Sequence, residues 1–519
     1  MDAAYAADAY ARTRGIGAVS LQYGVSTFSA LNAIAGAYVE RSPVVVISAT
    51  PGSQDRQIGD MYNVLYHHST GDLNADQEIL EKVTCASLTL STNVGAAEKI
   101  DELLIDALTH QRPVYIACYT EVWGEPCKCP PDTSLKPRKI ESEPAALVNA
   151  LDQAWAQITA AENPLILAGV ELLRHDLTAE LEELIEESGI LYTTTSLAKS
   201  VIDEKGNKFI GTYSDQASIP NVIETVENSD CVITLGAIIT DDYLWFAENK
   251  FAQMIISTTD QMRCSYRTFQ GVTTKDFIKG LIKRFKESQQ YPLATRAPEQ
   301  PVFPEPWISN SDPKFEKEAE TITFNRFHEH MFNFIQENEL FDKLRLTYGV
   351  SCSMYVATNA YGLKQGSFIS SAVWQCVGFG TGAVLGAQLG SKQRAWGIVG
   401  DGDFMMICQS LSTIARNKLN SVIFVMNNGV YAIEQVFVDV TSFEAGPSHK
   451  FDEFDILAKW DYAGIANGYG ANYLEANTMD ELHDIFHKLQ EMTDKPCLVN
   501  VTLPSKTLPD QMKRIADLG

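Results

Sequence analysis

Residues 395–434 read AWGIVGDGDFMMICQSLSTIARNKLNSVIFVMNNGVYAIE, and their punctuation decides the fold. An apolar run over 395–399 stops at Gly400-Asp401-Gly402. A helical pattern follows over 403–417, and a second apolar run, 422–426, stops at Asn427-Asn428-Gly429. Two such runs joined by one helix read as parallel strands with a crossover. Both polar clusters then lie at strand carboxyl ends, where open α/β sheets bind anions beside helix N-termini. The glycines let backbone amides approach phosphate oxygens. Asp401 and Asn428, 27 positions apart, offer hard oxygen ligands suited to Mg²⁺ or Ca²⁺ bridging a diphosphate. Either cluster alone would read as an ordinary turn.

The same alternation extends through the chain. A first block, 1–123, has buried-strand runs at 44–47 and 113–116 and helical patterns at 78–83 and 96–108. A second, 145–288, repeats the pattern with strands at 164–168, 231–235 and 254–257 and a helix over 177–188. The third, 320–519, opens with a helix over 324–336 and adds a strand at 497–501. Turn-rich residues 124–137 and Pro-rich residues 289–313 read as linkers. The expected fold class is therefore α/β, as three consecutive parallel-sheet domains.

Length and charge bound the function. A chain of 519 residues holds several domains. Its net charge of −25 disfavours nucleic acid and anionic membranes. No apolar run reaches the ~20 residues of a membrane span, and the N-terminus lacks a secretory apolar region. Ten cysteines in so long a chain read as reduced thiols of a cytoplasmic protein. Cys127 and Cys129 lack the second pair that a zinc site needs.

The G-D-G and N-N pair at this spacing resembles the thiamin-diphosphate signature. Further stretches, AAYAADAYAR (3–12), GVSTFSALNAIAGAYVE (24–40), YHHSTGD (66–72), ILAGVELLRHDL (166–177) and TTSLAKSVIDE (194–204), resemble the pyruvate and indolepyruvate decarboxylase family from end to end. The resemblance implies a pyrimidine-binding, a central and a diphosphate-binding domain, with thiamin diphosphate and Mg²⁺ as cofactors. It implies Asp401, Asn428 and the Val430 carbonyl as metal ligands, with Gly400 and Gly402 beside the diphosphate. Val377 becomes the wedge that bends the cofactor, and the Gln375 carbonyl meets its aminopyrimidine. Ser351-Cys352-Ser353 stands where the family has G-[DT]-S, so Ser353 is implied at the diphosphate and Cys352 is a departure. Asp403 is another, since the family has Ser or Ala there. It is read either as a cofactor-side carboxylate or as a helix-start residue facing the dipole. The run GFGTGAVLGAQLG (378–390) matches a dinucleotide motif superficially; no strand directly precedes it, so close helix packing is the better reading.

Two features imply decarboxylation. One is the adjacent pair His67-His68, which alone would read as solvent-facing. The other is Glu434, 33 positions after Asp401. Together they would form the proton relay that product release requires. The expected substrate is a small 2-oxo acid, and the expected assembly is a homodimer or homotetramer with sites between subunits. Acyloin-forming carboligation and a non-catalytic cofactor-binding role are the alternatives. The family carries two βα units before AAYAAD, including a carboxylate that activates the cofactor. The expectation for this chain is therefore an open sheet edge with exposed core, and slow turnover.

Overall fold

The computed structural model describes residues 1–128, 135–288 and 321–516. Each block builds its own sheet. In the first, Gly17–Gln22 (β1), Val44–Thr50 (β2), Ala86–Leu90 (β3) and Val114–Tyr119 (β4) run parallel in the order β1-β2-β4-β3. The edge strand β1 exposes Ala18, Ser20 and Gln22, which are small or polar, rather than large apolar side chains.

The second sheet comprises Pro164–Ala168 (β5), Leu191–Thr195 (β6), Phe209–Tyr213 (β7), Cys231–Leu235 (β8), Met254–Ser257 (β9), Met262–Cys264 (β10) and Arg267–Phe269 (β11), in the order β11-β10-β9-β8-β5-β6-β7. It is not wholly parallel: β10 and β11 form an antiparallel edge. They are three residues each, too short to show a pattern in sequence.

The third sheet is all-parallel. It comprises Leu344–Tyr348 (β12), Phe368–Ser370 (β13), Arg394–Gly400 (β14), Val422–Asn427 (β15), Asn472–Ala476 (β16) and Cys497–Thr502 (β17), in the order β13-β12-β14-β15-β17-β16. Central β14 and β15 are buried on both faces, which explains their unbroken apolar runs.

Two expectations are corrected. The helix after β14 begins at Asp401, not Asp403, and is two helices, Asp401–Ile407 and Ser410–Arg416. The pattern at 78–83 is the helix Ala75–Leu80 followed by a turn. The whole 289–313 linker, together with Cys129, lies outside the described residues; Cys127 is exposed, and all nine described cysteines are free.

The small-residue run forms the helix Phe379–Ser391, whose Gly382, Gly386 and Gly390 face the helix Asp2–Arg14 of the first block. A Cβ on Gly386 would stand 1.9 Å from the Ala6 carbonyl oxygen, and one on Gly390 would stand 2.0 Å from Thr13 Oγ1. Glycine here sacrifices helix propensity, about 1 kcal/mol per residue, for a backbone approach that any side chain would block. First and third blocks thus share one apolar core.

His328, in the helix Phe324–Glu337, is fully buried against the ring of Tyr348 at 5.8 Å. Its Nδ1 meets the Phe324 carbonyl at 2.7 Å, while Nε2 has no hydrogen-bond partner. Burial pushes the imidazole down to about 4, outweighing that carbonyl bond. The unfolded chain titrates near 6.5, so between these values the unfolded state binds more protons. Stability due to His328 is therefore full above about pH 6.5 and falls by about 3 kcal/mol as pH drops toward 4. His328→Gln, which does not titrate, is expected to flatten that slope when urea unfolding is compared at pH 7.5 and 4.5. An unchanged slope would refute the assignment.

Candidate active site

Strand β12 crosses over to β13 on one side, while β14 crosses to β15 on the other. The crevice between the carboxyl ends of β12 and β14 is thus a topological switch point, where open α/β sheets bind ligands. A cleft of about 510 Å³ opens there, lined by residues 350–352, 400–403 and 430–434 together with Phe324, Val377, Met426 and Asn428.

Asp401 closes the end of β14. Its Oδ1 accepts the Gly402 N–H at 3.0 Å and its Oδ2 the Gly429 N–H at 2.7 Å, so the carboxyl staples the β14 end to the β15 turn. Gly429 takes φ 74°, which favours glycine. Asp401 is buried, and among the described residues no cation pairs with it. Burial pushes its carboxyl up to about 6, against the lowering effect of the Gly429 and Gly402 N–H groups. Asn428 is also buried, its Oδ1 3.5 Å from the Val430 nitrogen. Gly402 has no room for a side chain, since a Cβ would stand 2.1 Å from the Tyr431 ring.

Asp403 has contacts on two sides. It belongs to the first turn of its helix and lines the cleft. Yet its Oδ1 accepts the Gly378 N–H at 2.7 Å, capping the neighbouring helix Phe379–Ser391. Its Oδ2 is buried without a partner. Burial pushes this carboxyl up to about 7, with the Gly378 and Thr381 contacts pulling the other way.

Val377 lines the cleft, and its carbonyl accepts the Tyr5 hydroxyl at 3.4 Å. Glu434, in the helix Ala432–Asp439, stands exposed at the cleft. Four expected residues are not gathered there. Gln375 lies outside the lining and donates its amide to Asp242 at 2.7 Å. Ser353 is fully buried one position beyond the lining, its Oγ unpartnered. A helix starts at Cys352 and turns Ser353 away, leaving Ser351 and Cys352 on the cleft. His67 and His68 are exposed on a loop of the first block. That loop is pinned by the Tyr23 hydroxyl on the His67 carbonyl at 2.7 Å and by Gly24, where a Cβ would overlap the His68 carbonyl oxygen.

Ser351 and Tyr431 also line the cleft, with no individual role assigned to either from sequence. Ser351 stands two residues beyond Gly349 at the end of β12, and that position was the available signal. Its buried Oγ has no partner. A buried carboxylate without a cation, an amide oxygen beside it and an unsatisfied hydroxyl across the cleft suit a hard cation carrying an oxyanion.

Domain by domain, the chain matches three family models. Residues 1–78 match the thiamine pyrophosphate enzyme N-terminal TPP binding domain, 151–268 its central domain and 349–501 its C-terminal TPP binding domain. The chain belongs to the thiamine pyrophosphate enzyme family. Pyruvate decarboxylase of Aspergillus terreus is 29% identical over 545 residues, covering 100% of this chain and 88% of that protein. Pyruvate decarboxylase isozyme 2 of Saccharomyces cerevisiae is 27% identical over 559 residues, covering 100% and 90%. As a thiamine pyrophosphate enzyme the chain carries its three α/β domains in the family's order, and the C-terminal TPP binding domain holds the cleft just described. Among the described residues no helix is long and apolar enough to cross a membrane.

Proposed function

We propose that the protein is a thiamin-diphosphate- and Mg²⁺-dependent decarboxylase that converts a 2-oxo acid to an aldehyde and CO₂. One observation carries the reading: Asp401, Asn428 and Glu434 line a single cleft at a switch point of the sheet, in a chain that aligns throughout with pyruvate decarboxylases. When bound, thiamin diphosphate supplies a nucleophilic carbon for the keto group and an electron sink for the departing carboxylate.

The chain's own residues do the rest. Asp401, Asn428 and the Val430 carbonyl hold the ion, and the Gly400 and Gly402 backbone borders the diphosphate. Ser351 takes the diphosphate-side place first expected of Ser353. Val377, fixed by Tyr5, sets the shape of the cofactor's seat. Glu434 exchanges protons at the reacting carbon. His67 and His68 complete the relay from a second subunit, in a homodimer or a dimer of dimers. Exposed Phe437 and Val438 beside Glu434, and exposed Met61, Tyr62 and Leu65 before the histidines, are the apolar surfaces such an interface would cover.

The test is CO₂ release from pyruvate, branched-chain 2-oxo acids, phenylpyruvate and indolepyruvate, with thiamin diphosphate and Mg²⁺. Release of CO₂ with aldehyde in equal amount is the expected result for at least one acid. Acyloin as the main product would replace the reading with carboligation. Tight cofactor binding with no turnover of any acid would replace it with a non-catalytic role.

A further inference from the structure

Residues 371–378, which carry Val377 to the cleft, are held from all three domains. From the first, Glu40 accepts the Val373 and Trp374 N–H groups at 2.9 and 2.8 Å, and Asn32 accepts the Trp374 indole N–H at 2.8 Å. From the third, Asp403 accepts the Gly378 N–H at 2.7 Å. From the central domain comes Asp242, whose Oδ2 accepts the Gln375 side-chain amide at 2.7 Å. Among the described residues the central domain lends nothing to the cleft lining itself.

Gln375 is the strained member of this segment. Its φ of 53° lies in the left-handed region, which a residue with a Cβ keeps only where its surroundings hold it. Its own N–H bonds the Ser371 carbonyl at 3.1 Å and closes the turn. Glycine would take this φ unaided. Glutamine instead gives the turn a side chain that a neighbouring domain grips. Asp242 is a firm grip, because it sits in the short helical turn Asp241–Tyr243 beside a buried anchor. The Tyr243 hydroxyl accepts the Ser196 N–H at 3.1 Å and donates to the Tyr213 carbonyl at 3.1 Å. Asp242 itself is exposed, so its removal costs the fold little.

We propose that Asp242 is a positioning residue: by holding Gln375 in its left-handed turn it fixes the backbone that presents Val377, so the central domain sets the shape of the cofactor's seat without touching it. The proposal rests on the functional reading above, in which Val377 shapes that seat. Gln375 then acts through its side chain as the receiving end of an interdomain tether, which is why that side chain points to Asp242 and not into the cleft.

Four variants of the full chain test it: Asp242→Ala, Asp242→Asn, Gln375→Ala, and Asp242→Ala combined with Gln375→Ala. Amide hydrogen exchange over 371–377, measured without cofactor, should quicken in Asp242→Ala and stay near the parent's in Asp242→Asn, whose amide oxygen still accepts the bond. Thiamin diphosphate binding at saturating Mg²⁺, followed by protein fluorescence, should weaken about tenfold in Asp242→Ala, the worth of one hydrogen bond. Asp242→Asn should restore it. The double variant should lose no more than Asp242→Ala alone, because the two side chains act as one unit. Melting temperatures should stay near the parent's throughout. Exchange or cofactor affinity in Asp242→Ala equal to the parent's, no recovery in Asp242→Asn, or additive losses in the double variant would each overturn the proposal and leave the functional reading standing. A parent that binds no thiamin diphosphate would overturn both.

Discussion

Asp401→Asn is expected to weaken Mg²⁺-dependent thiamin diphosphate binding by about 10²–10³-fold and to bring CO₂ release to background. The reason lies in what each carboxylate oxygen does. Both accept backbone N–H groups, from Gly402 and Gly429. Asparagine offers one acceptor and one NH₂, so one of those N–H groups meets a donor instead. A buried N–H left unpaired costs about 1–3 kcal/mol. The same substitution removes the only charge that the described residues offer at the proposed ion site. Losing a charge-assisted contact and a buried hydrogen bond together makes about 3–4 kcal/mol, which is the stated fold-change at 1.4 kcal/mol per tenfold. Fluorescence titration with thiamin diphosphate at saturating Mg²⁺ reads it directly. An Asp401→Asn protein that binds cofactor within a few-fold of the parent would remove Asp401 from the metal site.

Why Asp401 was legible in the sequence, and other residues less so, has a physical basis. Strand ends are marked locally, because buried β14 and β15 are unbroken apolar runs and the turns after them must be polar or glycine. The glycine stripe at 382, 386 and 390 was legible for the same reason, since its spacing is that of one helix face. Asp403 was not. Its partner Gly378 lies 25 residues upstream and on another helix, and nothing near Asp403 in sequence announces that contact. The position of Ser353 off the cleft lining is a matter of helix phase. The strand-end motif fixes the loop but not the residue at which the next helix begins, and a start at Cys352 rotates Ser353 into the core. The antiparallel edge β10-β11 is set by pairing with β9, a tertiary preference that short segments do not carry alone.

Arg12→Met is expected to be the most destabilising single change in the first domain, by about 3–5 kcal/mol. Arg12 is almost wholly buried. It pairs with Asp8 at 2.8 Å and Glu40 at 2.6 Å, donates to the Ser370 carbonyl at 2.8 Å and lies 4.7 Å from the Phe379 ring centroid. Glu40 in turn accepts the Val373 and Trp374 N–H groups at 2.9 and 2.8 Å. The network therefore runs from the first domain into the segment that leads to Val377. Methionine matches the length of the arginine stem but leaves the Asp8 and Glu40 carboxylates buried without the cation that pairs them, with Arg174 as the remaining buried charge nearby. Removing one partner of a buried pair is costly for that reason, whereas replacing the whole set by apolar groups need not be. Arg12→Met with Asp8→Leu and Glu40→Gln should then recover part of the loss. Urea midpoints of the three proteins measure the stability, and hydrogen exchange over 371–377 measures whether the segment loosens. A midpoint for Arg12→Met equal to the parent's would mean that the carboxylates find water, and that packing of the Gly382, Gly386 and Gly390 face, not this charge network, joins the first domain to the cleft.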